Sequence, residues 1–371
     1  MLFLRTVLFT ILSLLHSVEA YSYQKDTTSR KIALTVDHPA FMDGPREVSL
    51  VQVDEEQAAS YFYMTVESVL CADHICKVVP VRLYWDSFGN YIKYRLEEGV
   101  TLEKGDGQPF DEDDYIKLDE ILTNKNAALR SLAYSDIIQT KVHGEVDAMS
   151  GATALILPDD ESIEGATWTC YTLWHWVHGE MHHKVREIYA ATLDQQQLVA
   201  MLGLNDKEKV KFAYESLARL NELDNGTKAI LLESAQSWDK EIAAIICPAM
   251  QNWHVSFQTG LAQELLSNPS SSARLLTLDA ISENKELSSF RSLLLGHIGS
   301  TDSFLEVDKT IEMMGRYGEL YEGEVDALQE VMLRENFLIA RRLFYFLKDQ
   351  SMTRGQQEIM KEFAHENTER L

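Results

Sequence analysis

Cysteine is scarce in this chain, basic side chains are outnumbered, and past the first 20 residues no apolar run is long enough to span a bilayer. Four cysteines, Cys71, Cys76, Cys170 and Cys247, cannot build a disulfide-dense scaffold. Neither a CxxC nor a CxxCH pattern occurs, which gives thioredoxin-like and c-type haem chemistry no footing. Lys and Arg number 34 against 58 Asp and Glu, a net charge of −24. Such an acidic surface repels a nucleic-acid backbone or an anionic membrane. A P-loop, a nucleophile elbow and a zinc-protease motif are also missing.

What is present begins with MLFLRTVLFTILSLLHSVEA, a basic start, an apolar stretch and a small-x-small ending. It reads as a secretory signal peptide, residues 1–20, cut after Ala20. Arg5 and Glu19 leave with it, so the charge of the mature chain is unchanged. An exported protein, secreted or periplasmic, is the expectation. In that compartment Cys71 and Cys76, with four residues between them, read as a local disulfide, with redox or metal ligation as the alternatives.

The remaining length exceeds what one core usually organises, and two regions of different texture divide it. Residues 21–190 read as a mixed α+β domain. KIALTVD, REVSLVQVD, KVVPVRLYWD and YIKYRLEEGV have strand composition, and DSFGN between the last two predicts a hairpin. Pro80 places its strand at an edge or delays its start. Between these strands, Tyr61, Phe62, Val66, Val69 and Leu70 recur at helical spacing and predict a helix over 55–70. A further helix is predicted after Phe110, with DEDD at its N-terminus and Tyr115, Leu118 and Leu122 on one face. Residues 191–371 read as amphipathic helices, broken near Asp224–Gly226, Asn268–Pro269 and Gly315–Gly318. An all-α helical repeat is expected there, an α-solenoid that resembles HEAT-type repeats in architecture, or else an irregular bundle. Such a region would dock a partner, another exported protein. Asn225-Gly226-Thr227 fits the N-glycosylation pattern.

Two stretches carry candidate chemistry. In EVDAMSGATALILP, Gly151 permits close backbone approach, Ala152 adds no bulk, and Ser150 and Thr153 offer hydroxyls to an oxyanion. This is either a phosphate-cradling loop or a plain turn. The run Asp147-Ala148-Met149-Ser150-Gly151-Ala152-Thr153 resembles the signature of the FMN-binding domain of exported bacterial flavoproteins, including subunits of sodium-pumping quinone reductases. The resemblance covers at most residues 60–185, and the seven-residue motif is its specific part. It implies an FMN-binding fold, electron transfer carried by the cofactor, and binding through Asp147, Ser150, Gly151, Ala152 and Thr153. The family's flavinylated hydroxyl falls here on Leu155, which cannot form a phosphoester. A second copy, Glu164-Gly165-Ala166-Thr167-Trp168-Thr169, restores a hydroxyl at Thr169 but puts a glutamate where the family has Ser or Thr. The resemblance therefore implies non-covalent FMN at the first copy, a descendant that has lost flavin, or covalent attachment at Thr169.

The second stretch, GATWTCYTLWHWVHGEMHHKV, predicts one helix with Cys170, Trp174, Val177 and Met181 on a face and His175, His178 and His182 beside it. Three imidazoles in a sector are candidate transition-metal or haem ligands, His178 and His182 at i, i+4 being the better pair. The alternatives are a flavin-adjacent or proton-handling role, or hydrogen bonds to backbone carbonyls at a junction.

Overall fold

The computed structural model describes residues 27–55, 58–69, 78–105, 107–135, 137, 157–158, 161–334 and 336–371. Five antiparallel strands follow one another in chain order: β1 Thr27–Val36, β2 Arg46–Glu55, β3 Ala58–Glu67, β4 Pro80–Asp86 and β5 Tyr91–Leu96. Strand β4 starts at Pro80, so the missing N–H falls at the end of the ladder. The Asp86–Asn90 turn closes β4 on β5. Asp86 Oδ1 accepts from the N–H groups of Phe88 and Asn90, both at 2.8 Å, and Gly89 takes a φ of +77°.

The helix expected over 55–70 is a strand. Phe62, Met64 and Val66 are buried on one side while Tyr61, Tyr63 and Thr65 alternate to the other, a period of two. Aromatic and β-branched side chains fit a pleated surface, and β3 is paired on both sides, Phe62 opposite Gln52 on β2 and Trp85 on β4. The apolar recurrence at helical spacing was a coincidence of two faces that are both rich in aromatic and apolar residues.

Helix α1, Glu112–Thr123, starts where DEDD predicts. Asp111 and Asp114 form a reciprocal capping box, and Leu118 and Leu122 are buried. A 3-10 turn at Ala128–Ser131 follows. The segment expected as one histidine helix is two, α2 Thr167–His178 and α3 Glu180–Ala190. Gly179, with ψ near −140°, ends the first, and its N–H still bonds to the His175 carbonyl. The inner sheet face, Leu50, Phe62, Met64, Val81, Leu83 and Trp85, packs with Leu118, Leu122, Cys170, Tyr171, Leu173 and Val177 into one core. Each such fully buried side chain contributes on the order of 1.5–3 kcal/mol.

The chain divides into two compact units, one to Tyr189 and one from Ala190. The second is all helix: α4 Gln195–Leu202, α5 Lys207–Ala218, α6 Asn225–Ser234, α7 Lys240–Ala249, α8 Val255–Leu266, α9 Ser271–Ser282, α10 Arg291–Ser300, α11 Phe304–Met314, α12 Glu322–Met332, α13 Phe337–Leu347 and α14 Arg354–Glu366. Many starts are marked by a side-chain cap, Asp194, Asp206, Asp224, Asp239, Ser270, Ser303, Asn336 and Thr353 each accepting a backbone N–H from the first turn. The helices form two rows. Along one, α5, α7, α9, α11 and α13 each pack on the next; along the other, α4, α6, α8, α10, α12 and α14 do the same. Hairpin pairs such as α8 with α9 and α12 with α13 tie the rows together.

Starts along a row recur roughly every 30 residues, the spacing of a helical repeat. Hydrogen bonds between neighbours repeat with it. Trp253 Nε1 donates to the Leu220 carbonyl across 33 residues, Asn268 to that of Ala235 across 33, Tyr317 to that of Leu287 across 30, and Arg334 to that of Gly299 across 35. Each repeat thus closes the exposed backbone of the one before it, as a stack requires and an irregular bundle does not.

Candidate functional site

Each histidine of the predicted sector is held by a backbone carbonyl. His175 Nε2 lies 3.1 Å from the Leu129 oxygen, His178 Nε2 2.8 Å from that of Leu122, and His182 Nδ1 2.8 Å from that of Gly89. Leu122 sits in the last turn of α1, Leu129 in the 3-10 turn and Gly89 in the β4–β5 turn. These are places where backbone acceptors lack helical or ladder partners. The indole of Trp174 does the same for the Asn124 carbonyl at 2.9 Å, and the Tyr171 hydroxyl for that of Leu132 at 3.2 Å. Helix α2 is therefore a hub whose long polar side chains tie the surrounding turns to it.

A fourth imidazole, His38, joins the hub and was not among the residues singled out from sequence. Its Nε2 meets the Thr172 carbonyl at 3.0 Å, and its Nδ1 accepts from the Ala40 N–H at 3.1 Å. That pattern fixes one neutral tautomer. Its ring lies 4.8 Å from Trp176 and 6.0 Å from His175. Burial lowers the pKa of His38, His175 and His178 to about 4, and lowers that of His182 as well. Among the described residues, no three His, Cys, Asp or Glu side chains gather as metal ligands.

The loop predicted to cradle phosphate, with Asp147, Ser150, Gly151, Ala152 and Thr153, lies outside the described residues, as do Leu155, Cys71 and Cys76. Thr169 is described. It stands in the first turn of α2 and is 3% exposed, so a phosphoester there requires that turn to leave the core. Cys170 and Cys247 are free thiols, both buried, and burial pushes each pKa up to about 11. In the glycosylation pattern, Asn225 is exposed at the first position of α6, while Thr227 is buried and bonded through its N–H to Asp224.

The helical unit holds a buried charge cluster that sequence reading missed. Glu306, fully buried at the start of α11, accepts from Arg274 Nε and Nη2, from the Ser271 hydroxyl and from the Thr301 hydroxyl. His297 Nε2 stands 3.0 Å away. Burial alone would raise the Glu306 pKa; the bonds from Arg274, Ser271 and Thr301 outweigh it and hold the carboxyl below its ordinary range. Burial keeps His297 below its ordinary value. Only the separation of roughly 30 residues between opposite charges hinted at this pairing.

Where even-numbered helices turn into odd ones, the stack presents a different surface. Hydrogen bonds from Asn268 to Ala235 and from Arg334 to Gly299 bring these turns to one edge. On it, Phe304, Leu305, Leu333 and Leu338 are exposed by 43 to 63%. Beside them opens a cavity of about 350 Å³ lined by Asp302, Val331, Arg334, Asn336 and Ile339.

Comparison of the chain with family models, curated proteins and solved structures finds no match. No helix among the described residues is long and apolar enough to cross a membrane.

Proposed function

We propose that the protein is an exported, non-catalytic interaction scaffold whose helical stack docks another exported polypeptide. The observation that supports this is the apolar edge. Four large side chains on adjacent repeats stand in water around a cavity, which costs solubility unless a partner covers them. Leu305 and Leu338 would insert into the partner, and Arg334 and Asp302 would frame the contact. The histidine and tryptophan side chains of the first unit hold backbone turns in place, a structural use of the residues that first suggested chemistry.

The flavin reading rests on the resemblance of Asp147–Thr153 and would make the protein an electron-transfer subunit that docks its redox partner through the same stack. The two readings separate in one preparation. The mature full chain, purified after export, is examined by visible spectroscopy before and after FMN is added. Stoichiometric flavin, lost on changing Ser150 and Thr153 to leucine, overturns the non-catalytic reading. Docking is tested with a photo-crosslinking residue at position 305 or 338, and at exposed position 358 as control, in cells that make the protein. One adduct of constant mass from 305 and 338, abolished by Leu333→Glu, is the expected result. No adduct, or the same adducts from 358, removes the docking surface.

A further inference from the structure

The outer face of the sheet sets like charges directly against each other. Arg82 on β4 is the register partner of Arg95 on β5, and in the next row Tyr84 pairs with Lys93. Arg82, Lys93 and Arg95 are all exposed, and all three face away from the core of Leu83 and Val81. Like charges opposite one another on neighbouring strands destabilise a sheet, and nothing about the fold demands this pair. Among the described residues, none of the three cations has a carboxylate within ion-pair distance. In a chain of net charge −24 such a cluster is an exception that simple solvation does not require.

Aromatic rings position it. The Arg82 guanidinium carbon lies 5.0 Å from the Tyr63 ring centroid, and Lys93 Nζ and the Arg95 guanidinium carbon lie 5.3 and 5.9 Å from that of Tyr84. Tyr84 is buried although it is on the outer side of the sheet, so the platform under the cations is rigid. Both arginines line a cavity of about 230 Å³, together with Thr65, Pro80, Tyr84, Leu96 and Glu97.

We infer that this face is an oxyanion-binding site for a doubly charged group of the phosphate-monoester or sulfate class. Two guanidinium forks that repel each other when empty become co-ligands when an oxyanion lies between them. Donor geometry decides the class. Arg82 and Arg95 line the cavity together with one carboxylate, Glu97, Lys93 stands in the next row, and the tetrahedral oxygens of a phosphate or sulfate engage both guanidinium forks where the two oxygens of a monocarboxylate satisfy one. Glu67, at the sheet's end on the same face, limits the site to a single small group and disfavours a long polyanion, which the acidic remainder of the surface also repels. The site is in the sheet unit and does not depend on the docking role of the helical stack.

The test is titration of the full mature chain with inorganic phosphate, inorganic sulfate, phosphoserine, acetate and a short polyglutamate at constant ionic strength, with the arginine Nε–H signals followed by NMR. Arg82 and Arg95 signals that saturate together with phosphate, sulfate and phosphoserine, while acetate and exposed Arg354 stay silent, are expected. Sulfate binding as tightly as phosphoserine identifies the inorganic ion as sufficient; tighter phosphoserine identifies the monoester as the source. Arg95→Gln should weaken binding roughly tenfold and, without anion, should melt no lower than the parent because the cross-strand repulsion is gone. Absence of saturation, equal shifts at Arg354, or preference for polyglutamate overturns the proposal. So does a lower melting point for Arg95→Gln together with unchanged phosphate affinity.

Discussion

His182 and Gly89 lock each other in place: the imidazole Nδ1 lies 2.8 Å from the Gly89 carbonyl, and a Cβ on Gly89 would stand 2.4 Å from the His182 carbonyl oxygen. The β4–β5 turn and helix α3 are thus in contact at a position where a side chain has no room. Gly89 also has a φ of +77°, which costs an L-residue about 1–2 kcal/mol before any clash. Gly89→Ala is expected to destabilise the sheet unit by about 2 kcal/mol or more, because backbone on both sides must shift. His182→Ala, which forfeits a hydrogen bond without overlap, should cost about 1 kcal/mol. Urea unfolding of the two variants, followed by tryptophan fluorescence, gives the order; a milder effect for Gly89→Ala would show that the turn relaxes freely.

How legible this was from sequence depended on whether a signal was local. The DSFGN turn, the DEDD helix start and the amphipathic helices after residue 191 are local patterns and stand where they were expected. Strand β3 was misread because Tyr61 and Phe62 lie on opposite faces, and only pairing with β2 and β4 reveals that both faces carry aromatic side chains. The break at Gly179 was missed because apolar spacing runs through it unchanged. The partners of the histidines could not be read at all, since a carbonyl has no side-chain identity. Arg274 and Glu306, 32 residues apart, and the cross-strand pair Arg82 and Arg95 are products of register, which composition does not encode.

Acid should weaken the first unit through its buried imidazoles. In the folded protein His38, His175 and His178 titrate at about 4, below the 6.5 of an unfolded chain. Between these values the unfolded state binds more protons, so stability rises with pH there; it is fully present above pH 6.5 and lost as pH falls toward 4. Each imidazole should contribute on the order of 1–2 kcal/mol to the loss between neutrality and pH 5. Urea midpoints measured over this interval should fall steadily, and His175→Gln should make the slope shallower by one proton. An unchanged slope would mean that His175 titrates normally in the fold.

The Glu306 cluster should hold adjacent repeats in register. Arg274→Leu leaves a fully buried carboxylate without its cation, a change that costs about 3–5 kcal/mol. Glu306→Gln keeps most acceptor geometry and should cost less. Repeat stacks are coupled mainly to their neighbours, so the damage should be local. Hydrogen exchange of Arg274→Leu is expected to quicken in α9, α10 and α11 while α4 and α5 keep their protection. Uniform acceleration across the helical unit would mean that the stack opens as a single block.

Two free thiols offer an independent view of each unit. Cys170 sits in α2 within the sheet-unit core, and Cys247 in α7 with its sulfur 3.7 Å from the Thr277 hydroxyl of α9. Burial excludes reagent from both and pushes both thiols up to about 11, so neither is a reactive thiolate in the native protein. Alkylation at neutral pH should therefore proceed only through opening of the surrounding unit, at a rate that tracks its stability. Mass spectrometry of the peptides that carry Cys170 and Cys247 separates the two rates. Gly89→Ala should speed labelling of Cys170 and leave Cys247 alone, whereas Arg274→Leu, which strikes α9 beside Cys247, should do the reverse. If each substitution accelerated both thiols by the same factor, the two units would be one cooperative folding block, and the division near Tyr189 would be geometric only.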